Sequence, residues 1–285
     1  MSFDTAKKGI DLFLSRGLNH IRLAGADPVR NIGLVKKILE YITPEITLRI
    51  TSNGVGLDAD LIQYLSWHPN VELVLSVDGD KETQLLMRKS APGFPDSFSW
   101  FTTHAEKISS LDIFKHLNMV ISPETVKKLV TNVAYLAKMG FYRINFLPAY
   151  YVKWTEEQIE LLRKQFSLLA LFIEKGIDKG LPFYVVNLDN YSPVSLFRQE
   201  LVIDSDGTLY DNDVICARMF EKDRMDYSLG NISDPLVLAS LASKPRQDWE
   251  DLIDSRLDSE ISESTRKVDQ ELSRFVSSVE PLFSK

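Results

Sequence analysis

Val71-Glu72-Leu73-Val74-Leu75-Ser76-Val77-Asp78-Gly79 is a nearly continuous apolar run that ends in small and polar residues. That is the pattern of a strand buried on both faces, as in a parallel sheet. Related runs lie on either side of it. His20 to Gly25 and Ile46 to Gly54 come before, Phe114 to Ser122 and Tyr142 to Tyr151 come after, and amphipathic helical segments separate them. Strand–helix alternation reads as βα units, because parallel neighbours need a crossover long enough for a helix. In such folds chemistry sits at the carboxyl ends of the strands. Those ends carry Gly25-Ala26-Asp27-Pro28, Thr51-Ser52-Asn53-Gly54, Ser76 to Gly79, Ser122 and Leu147-Pro148.

Working outward, residues 2–17 read as a helix capped by Ser2, with an apolar stripe at Phe3, Ala6, Ile10 and Phe13-Leu14. It resembles a crossover whose preceding strand is absent, which leaves the His20 strand with a bare edge. Further helices are expected around 31–41, 58–67, 98–111, 123–139 and 155–175, the last opened by the capping-box pattern Thr155-Glu156-Glu157-Gln158. Asp80 to Ser97 is the most irregular stretch, with Ala91-Pro92-Gly93-Phe94-Pro95 as a loop. From Leu181 the pattern changes. Phe183 to Val186 reads as a short strand, and Glu200 to Asp211 as a hairpin turning at Asp206-Gly207. In Asp204-Ser205-Asp206-Gly207 the glycine falls at the fourth place, not the sixth, which argues against a calcium loop. The tail from Pro245 is rich in Ser, Asp, Glu and Arg and reads as a solvated helix or two, partly frayed.

Composition narrows the function classes. The 285 residues carry 33 Lys+Arg against 40 Asp+Glu, a net charge of 33 − 40 = −7, with no basic run. That is a poor basis for binding nucleic acid through phosphates. No apolar run approaches a membrane span, and Met1-Ser2-Phe3-Asp4 is not a signal peptide, so cytoplasm is the expected location. The single cysteine, Cys216, excludes an internal disulfide and reads as a buried small hydrophobe. His20, His68, His104 and His116 are too scattered to suggest a shared metal, and there is no Gly-rich phosphate loop or nucleophile elbow.

The ordered strand-end motifs resemble the radical S-adenosylmethionine (radical SAM) family, in particular the branch that modifies peptides and carries a C-terminal SPASM-type extension. Gly25-Ala26-Asp27-Pro28 stands where that family has Gly-Gly-Glu-Pro, and Ser52-Asn53-Gly54 matches its Thr-Asn-Gly turn. Ser76-Val77-Asp78-Gly79 followed by Arg88 matches its Ser-x-Asp-Gly with a downstream Arg. Asn118 to Ile121 and Phe146 to Ala149 fit its fifth and sixth strands, while Asp204 to Tyr210 and Leu229-Gly230-Asn231-Ile232 look like parts of the extension. The resemblance implies an α/β fold: a partial parallel (β/α) barrel over 1–178, a degenerate SPASM-like extension with a β-hairpin over 179–235, and a helical tail over 236–285.

It also implies a site. Gly25, Ala26 and Asp27 would meet the amino group of the methionine moiety of S-adenosylmethionine, Ser76 and Arg88 its ribose and carboxylate, and Leu147 its adenine. Asn53 and Asp78 complete the set of cofactor-binding residues. The residue types agree, since exposed carbonyls accept from an ammonium and a planar Arg fork suits a carboxylate. The family's Cys-x3-Cys-x2-Cys loop, which ligates a [4Fe–4S] cluster, would lie before Ser2 and is not in this chain. Where relatives carry Tyr-Pro-Cys after the hairpin this chain reads Tyr210-Asp211-Asn212, and where many carry His-Asp it has Gln84-Leu85. One expectation is therefore a peptide-modifying radical SAM protein, N-terminally incomplete or degenerate. The other is a non-catalytic paralogue that keeps the barrel to bind a peptide or protein partner.

Overall fold

The computed structural model describes residues 1–25, 27–90, 93, 95–189, 201–244 and 247–284, with Arg218 described by its backbone only. The helices are α1 (Phe3–Ser15), α2 (Ile32–Tyr41), α3 (Ala59–Leu65), α4 (Lys81–Met87), α5 (Ser97–Ser109), α6 (Leu129–Lys138), α7 (Glu156–Asp178), α8 (Pro235–Ser240), α9 (Trp249–Arg256) and α10 (Ser259–Phe283). The strands are β1 (His20–Leu23), β2 (Thr47–Ser52), β3 (Val71–Ser76), β4 (Phe114–Ile121), β5 (Arg143–Pro148), β6 (Tyr184–Val185), β7 (Val202–Ile203), β8 (Thr208–Tyr210) and β9 (Gly230–Asn231). β1 to β6 form one sheet in chain order, and β7 to β9 form a second. The pairs from β2 to β6 are all parallel. The expected α/β partial barrel is therefore present, with β1 at one edge. The strand at Phe183–Val186, read as part of the extension, is instead the sixth strand of the main sheet.

The chain divides into two compact units. One comprises Met1–Ile21, Gly33–Ile46 and Ser195–Ser259; the other comprises Arg22–Ile32, Thr47–Val194 and Glu260–Lys285. In the second unit, alternate strand residues build an apolar outer face. Leu48, Ile50, Leu73, Leu75, Leu117, Met119, Ile121, Ile144 and Phe146 are all buried. α7 and α10 close over its β5 end, where Phe275 meets Phe146 edge-on at 5.5 Å and stacks on Phe166 at 4.6 Å. The capping box forms as expected: the Thr155 hydroxyl accepts from Gln158 N, and the Gln158 side chain accepts from Thr155 N.

Three local readings are corrected. Part of the stretch read as irregular is α4, capped by Asp80, whose carboxylate accepts from Thr83 N at 2.9 Å. Of the expected loop at 91–95, Ala91, Pro92 and Phe94 lie outside the described residues. The tail is helical as expected, with α9 and α10, but it is not solvated: α10 is 25 residues long and buries Val268, Leu272, Phe275, Val276 and Val279. Cys216 is exposed, not buried.

In the first unit, α1 packs on the small sheet. Leu12, Leu209, Ile232 and Leu241 form a core with Ile203 and Val237 around it. The hairpin β7–β8 is antiparallel, pairing Val202 with Tyr210, and it turns where expected, with Gly207 at φ 89°. β9 adds a third strand that uses Gly230-Asn231.

Candidate functional site

The strand ends are tied together by carboxylates. Asp27 follows β1 with φ 149°, a region that disfavours side chains. Its carboxylate accepts from Asn53 N at 2.9 Å and from Val29 N at 3.3 Å, which joins the end of β1 to the end of β2. Gly25 has φ 116°, and a Cβ built there would meet nothing within 4 Å, so its backbone stands open. Asn53 makes a local turn by accepting from Val55 N at 2.9 Å, and Gly54 lies against the Trp100 ring, 2.7 Å from where a Cβ would sit. Ala26 lies outside the described residues.

The end of β3 is held more tightly. Asp78 is only 1 % exposed. Arg88 grips it side-on, Nε to Oδ2 at 2.7 Å and Nη2 to Oδ1 at 2.9 Å, and Val120 N donates to Oδ1 at 2.8 Å. Two of Arg88's three nitrogens thus serve Asp78, leaving Nη1 without a partner among the described residues. Gln84, fully buried, completes the clamp. Its Oε1 accepts from Asp78 N at 2.7 Å, and its Nε2 donates to the Ser97 hydroxyl at 3.0 Å and the Ser76 carbonyl at 3.3 Å. Gly79 backs against Asn132, whose Cγ would be 2.2 Å from a Cβ at that position.

The face opposite the helices is polar. Register places Arg49 beside Glu72 and Phe114, Thr51 beside Val74 and His116, and Ser76 beside Asn118 and Asn145; Val120 is beside Leu147. His116 is followed across the sheet by Arg143, which pairs with Tyr184. Within this face Arg49 Nε donates to Glu72 at 2.6 Å, and Asn145 Nδ2 donates to Asn118 Oδ1 at 2.9 Å. Burial, then the Arg49 and Arg143 charges, push His116 down to about 4, so it is neutral at pH 7. A packed (β/α) barrel fills its interior with branched apolar side chains. Here polar residues outnumber the apolar Val74, Phe114, Val120 and Leu147 at these positions, so the interior is suited to surround a polar ligand.

The structure brings Asp27 to Asn53 and Asp78 to Arg88, and sets Ser76 and Leu147 on one face, with β4 between their strands and Leu147 two residues beyond the level of Ser76. Arg49, Glu72, Gln84, His116, Asn118, Arg143 and Asn145 were missed. The signal for the strand residues was present: polar side chains recur at every second position of otherwise apolar strands.

A scan of family models found no match, and neither did a search of curated protein sequences. Among solved structures, anSMEcpe with bound AdoMet and the Cp18Cys peptide matches with a TM-score of 0.72 and 18% identity, over 99% of this chain and 92% of that one. SuiB of Streptococcus suis bound to S-adenosylmethionine matches with a TM-score of 0.59 and 12% identity, over 86% of this chain and 59% of that one. SuiB bound to its precursor peptide SuiA matches with a TM-score of 0.52 and 11% identity, over 88% and 62%. The chain shares the fold of these S-adenosylmethionine- and peptide-bound proteins. Within that fold, the polar face is the interior of a partial barrel and the tied loops are its carboxyl rim.

The chain's donor set does not fit the four-iron cluster that the sequence resemblance implies. It has one cysteine, and among the described residues no three His, Cys, Asp or Glu side chains gather as a metal site. No helix among the described residues is long and apolar enough to cross a membrane.

Proposed function

We propose that this chain is a radical SAM-family protein related to enzymes that modify peptides by S-adenosylmethionine radical chemistry, here without the cluster-binding loop. The observation that carries the reading is the polar interior face beneath open strand-end loops. At the rim, the exposed Gly25 backbone and the Asp27 turn are available to an ammonium group. Ser76 and Arg88 Nη1 can meet hydroxyl and carboxylate oxygens, and half-buried Leu147 offers an apolar surface to adenine. Asn53 and Asp78 act through the loops they hold: Asn53 through the β1–β2 tie, Asp78 by orienting Arg88. A peptide fits below and beside the cofactor along the polar face, in keeping with the peptide complexes of anSMEcpe and SuiB.

In the family, the cluster supplies the electron that cleaves the sulfonium. With a single thiol, this chain does not supply the ligands of that group. Tyr210-Asp211-Asn212, standing where relatives carry Tyr-Pro-Cys, favours a second reading, a non-catalytic peptide- or partner-binding paralogue that keeps the barrel. Calorimetric titration of the intact chain with S-adenosylmethionine and, separately, with unmodified peptides tests both. S-adenosylmethionine binding that Ser76→Ala or Arg88→Lys weakens supports the first reading. Peptide binding with no response to S-adenosylmethionine supports the second.

A further inference from the structure

Three polar atoms of the interior face lack partners. Arg143 Nε, His116 Nδ1 and Asn145 Oδ1 are shielded from solvent and hydrogen-bond to nothing among the described residues. All three lie on β4 and β5: Asn145 stands beside Asn118, and His116 and Arg143 lie two residues back on the same face. Orphaned buried polar atoms are uncommon, and each costs about 1–3 kcal/mol. Three in adjoining positions mark a place built for a partner.

The atoms specify its chemistry. The Arg143 guanidinium lies 4.6 Å from the Phe114 ring and 4.5 Å from the Tyr184 ring. Both rings are thus spent on its faces, and only its edge is left to bond. Three other arginines of this unit use that edge on a carboxylate: Arg49 Nε on Glu72 at 2.6 Å, Arg88 Nε on Asp78 at 2.7 Å and Arg163 Nε on Glu271 at 3.1 Å. Arg143 has no anionic partner among the described residues, and Nε with a neighbouring Nη is the side-on fork for a carboxylate. Asn145 gives its Nδ2 to Asn118, so its Oδ1 calls for a donor such as an amide N–H. His116 is held neutral and adds no second cation, so one uncompensated positive charge remains. His116 is 4 % exposed and sealed among these groups, whereas Arg143 and Asn145 are half-buried and can turn toward the interior.

We propose that this layer is a carboxylate subsite in which Arg143 takes a substrate carboxylate side-on and Asn145 accepts the neighbouring amide N–H. A peptide offers that pair of groups at its C-terminal residue and at an acidic side chain. The proposal deepens the peptide-handling reading and rests on it for the nature of the carrier. Asn145 is level with Ser76 in the register, and Arg143 and His116 lie one layer beneath it.

The test is calorimetric titration of the intact chain with three probes: N-acetylglycine (terminal carboxylate), N-acetylglutamic acid α-amide (side-chain carboxylate) and neutral N-acetylglycinamide. At least one acid binds about tenfold tighter than the neutral amide, and which acid does so identifies the source. Arg143→Gln removes the difference, Arg143→Lys keeps part of it, and the favoured acid moves the His116 imidazole resonances of the wild type. Arg143→Gln leaves S-adenosylmethionine affinity within about threefold. Equal binding of the three probes by the wild type overturns the proposal, even if Arg143→Gln fails to fold. So does a preference that survives in folded Arg143→Gln, or a parallel loss of S-adenosylmethionine affinity, which would make this that molecule's own carboxylate site. A chain that prefers the acids but does not bind S-adenosylmethionine retains the subsite and refutes the rim assignment instead.

Discussion

Replacing Arg88 with alanine perturbs the most enclosed charge at the rim. Asp78 is 1 % exposed and accepts three hydrogen bonds, two of them from Arg88 at 2.7 and 2.9 Å and one from Val120 N. In Arg88→Ala the carboxylate stays buried with one donor. Breaking a buried pair from one side costs about 3–5 kcal/mol, because an uncompensated charge is left behind. At about 2–4 °C per kcal/mol for domains approaching this size, the melting temperature falls by about 6–20 °C. Urea and thermal unfolding of the wild type, Arg88→Ala, Asp78→Asn and the double variant form a cycle that isolates the pair. Asp78→Asn/Arg88→Ala should recover at least about half of the single-variant loss, since the buried charge is gone. A loss under about 1 kcal/mol in Arg88→Ala, or additive losses in the double variant, refutes the reasoning. The result also governs how ligand binding is read: loss of S-adenosylmethionine affinity in Arg88→Ala mixes a missing contact with a displaced Asp78 loop, so Arg88→Lys is the cleaner probe of Nη1.

Three further outcomes follow from the geometry. His116 should titrate near 4 by NMR instead of its ordinary 6.5, so its contribution to stability is complete above 6.5 and is lost as pH falls toward 4; a midpoint near 6.5 contradicts the buried position between Arg49 and Arg143. Burial raises Asp269 to about 6 despite the hydrogen bond it accepts from Tyr150 at 3.0 Å, so the native state binds more protons than the unfolded chain between about 3.8 and 6, and stability falls as pH rises through that window; Asp269→Asn should flatten the slope of the urea midpoint, and an unchanged slope removes Asp269 as its source. Gly79→Ala combines φ 145° with a Cβ 2.2 Å from Asn132 Cγ and should destabilise by about 3 kcal/mol or more in urea unfolding, whereas a neutral substitution would show that the Asn132 packing is not as described.

What could be read in the chain was what shows in hydropathy and turn chemistry. The β2, β3, β4 and β5 strands stand out because their outer faces are mostly apolar, and the Asp206-Gly207 hairpin and the Thr155 capping box declare themselves by residue type. α4 was missed because it buries polar groups: Gln84 and Thr83 are both buried, Gln84 bonded to Ser76, Asp78 and Ser97 and Thr83 to Asn132, so no apolar stripe marks it. α10 was underread for a related reason. Its stripe of Val268, Leu272, Phe275, Val276 and Val279 is interrupted by polar residues that are themselves buried, Ser262, Ser264, Thr265 and Glu271. The rim residues came from ordered motifs, but the fact that Arg88 is bound to Asp78 is tertiary and invisible in spacing. The interior layer of His116, Arg143 and Asn145 required register, since only pairing shows that polar positions on separate strands share a face.

The most direct test of the central claim is equilibrium titration of the intact wild-type chain with S-adenosylmethionine. A rim built from the Gly25 backbone, Ser76, Arg88 Nη1 and Leu147 predicts one molecule bound per chain with a dissociation constant below about 1 mM, or about 4 kcal/mol, weakened by Ser76→Ala and by Arg88→Lys. No binding at that concentration, or binding indifferent to both substitutions, would contradict the account and leave the barrel interior to a peptide alone.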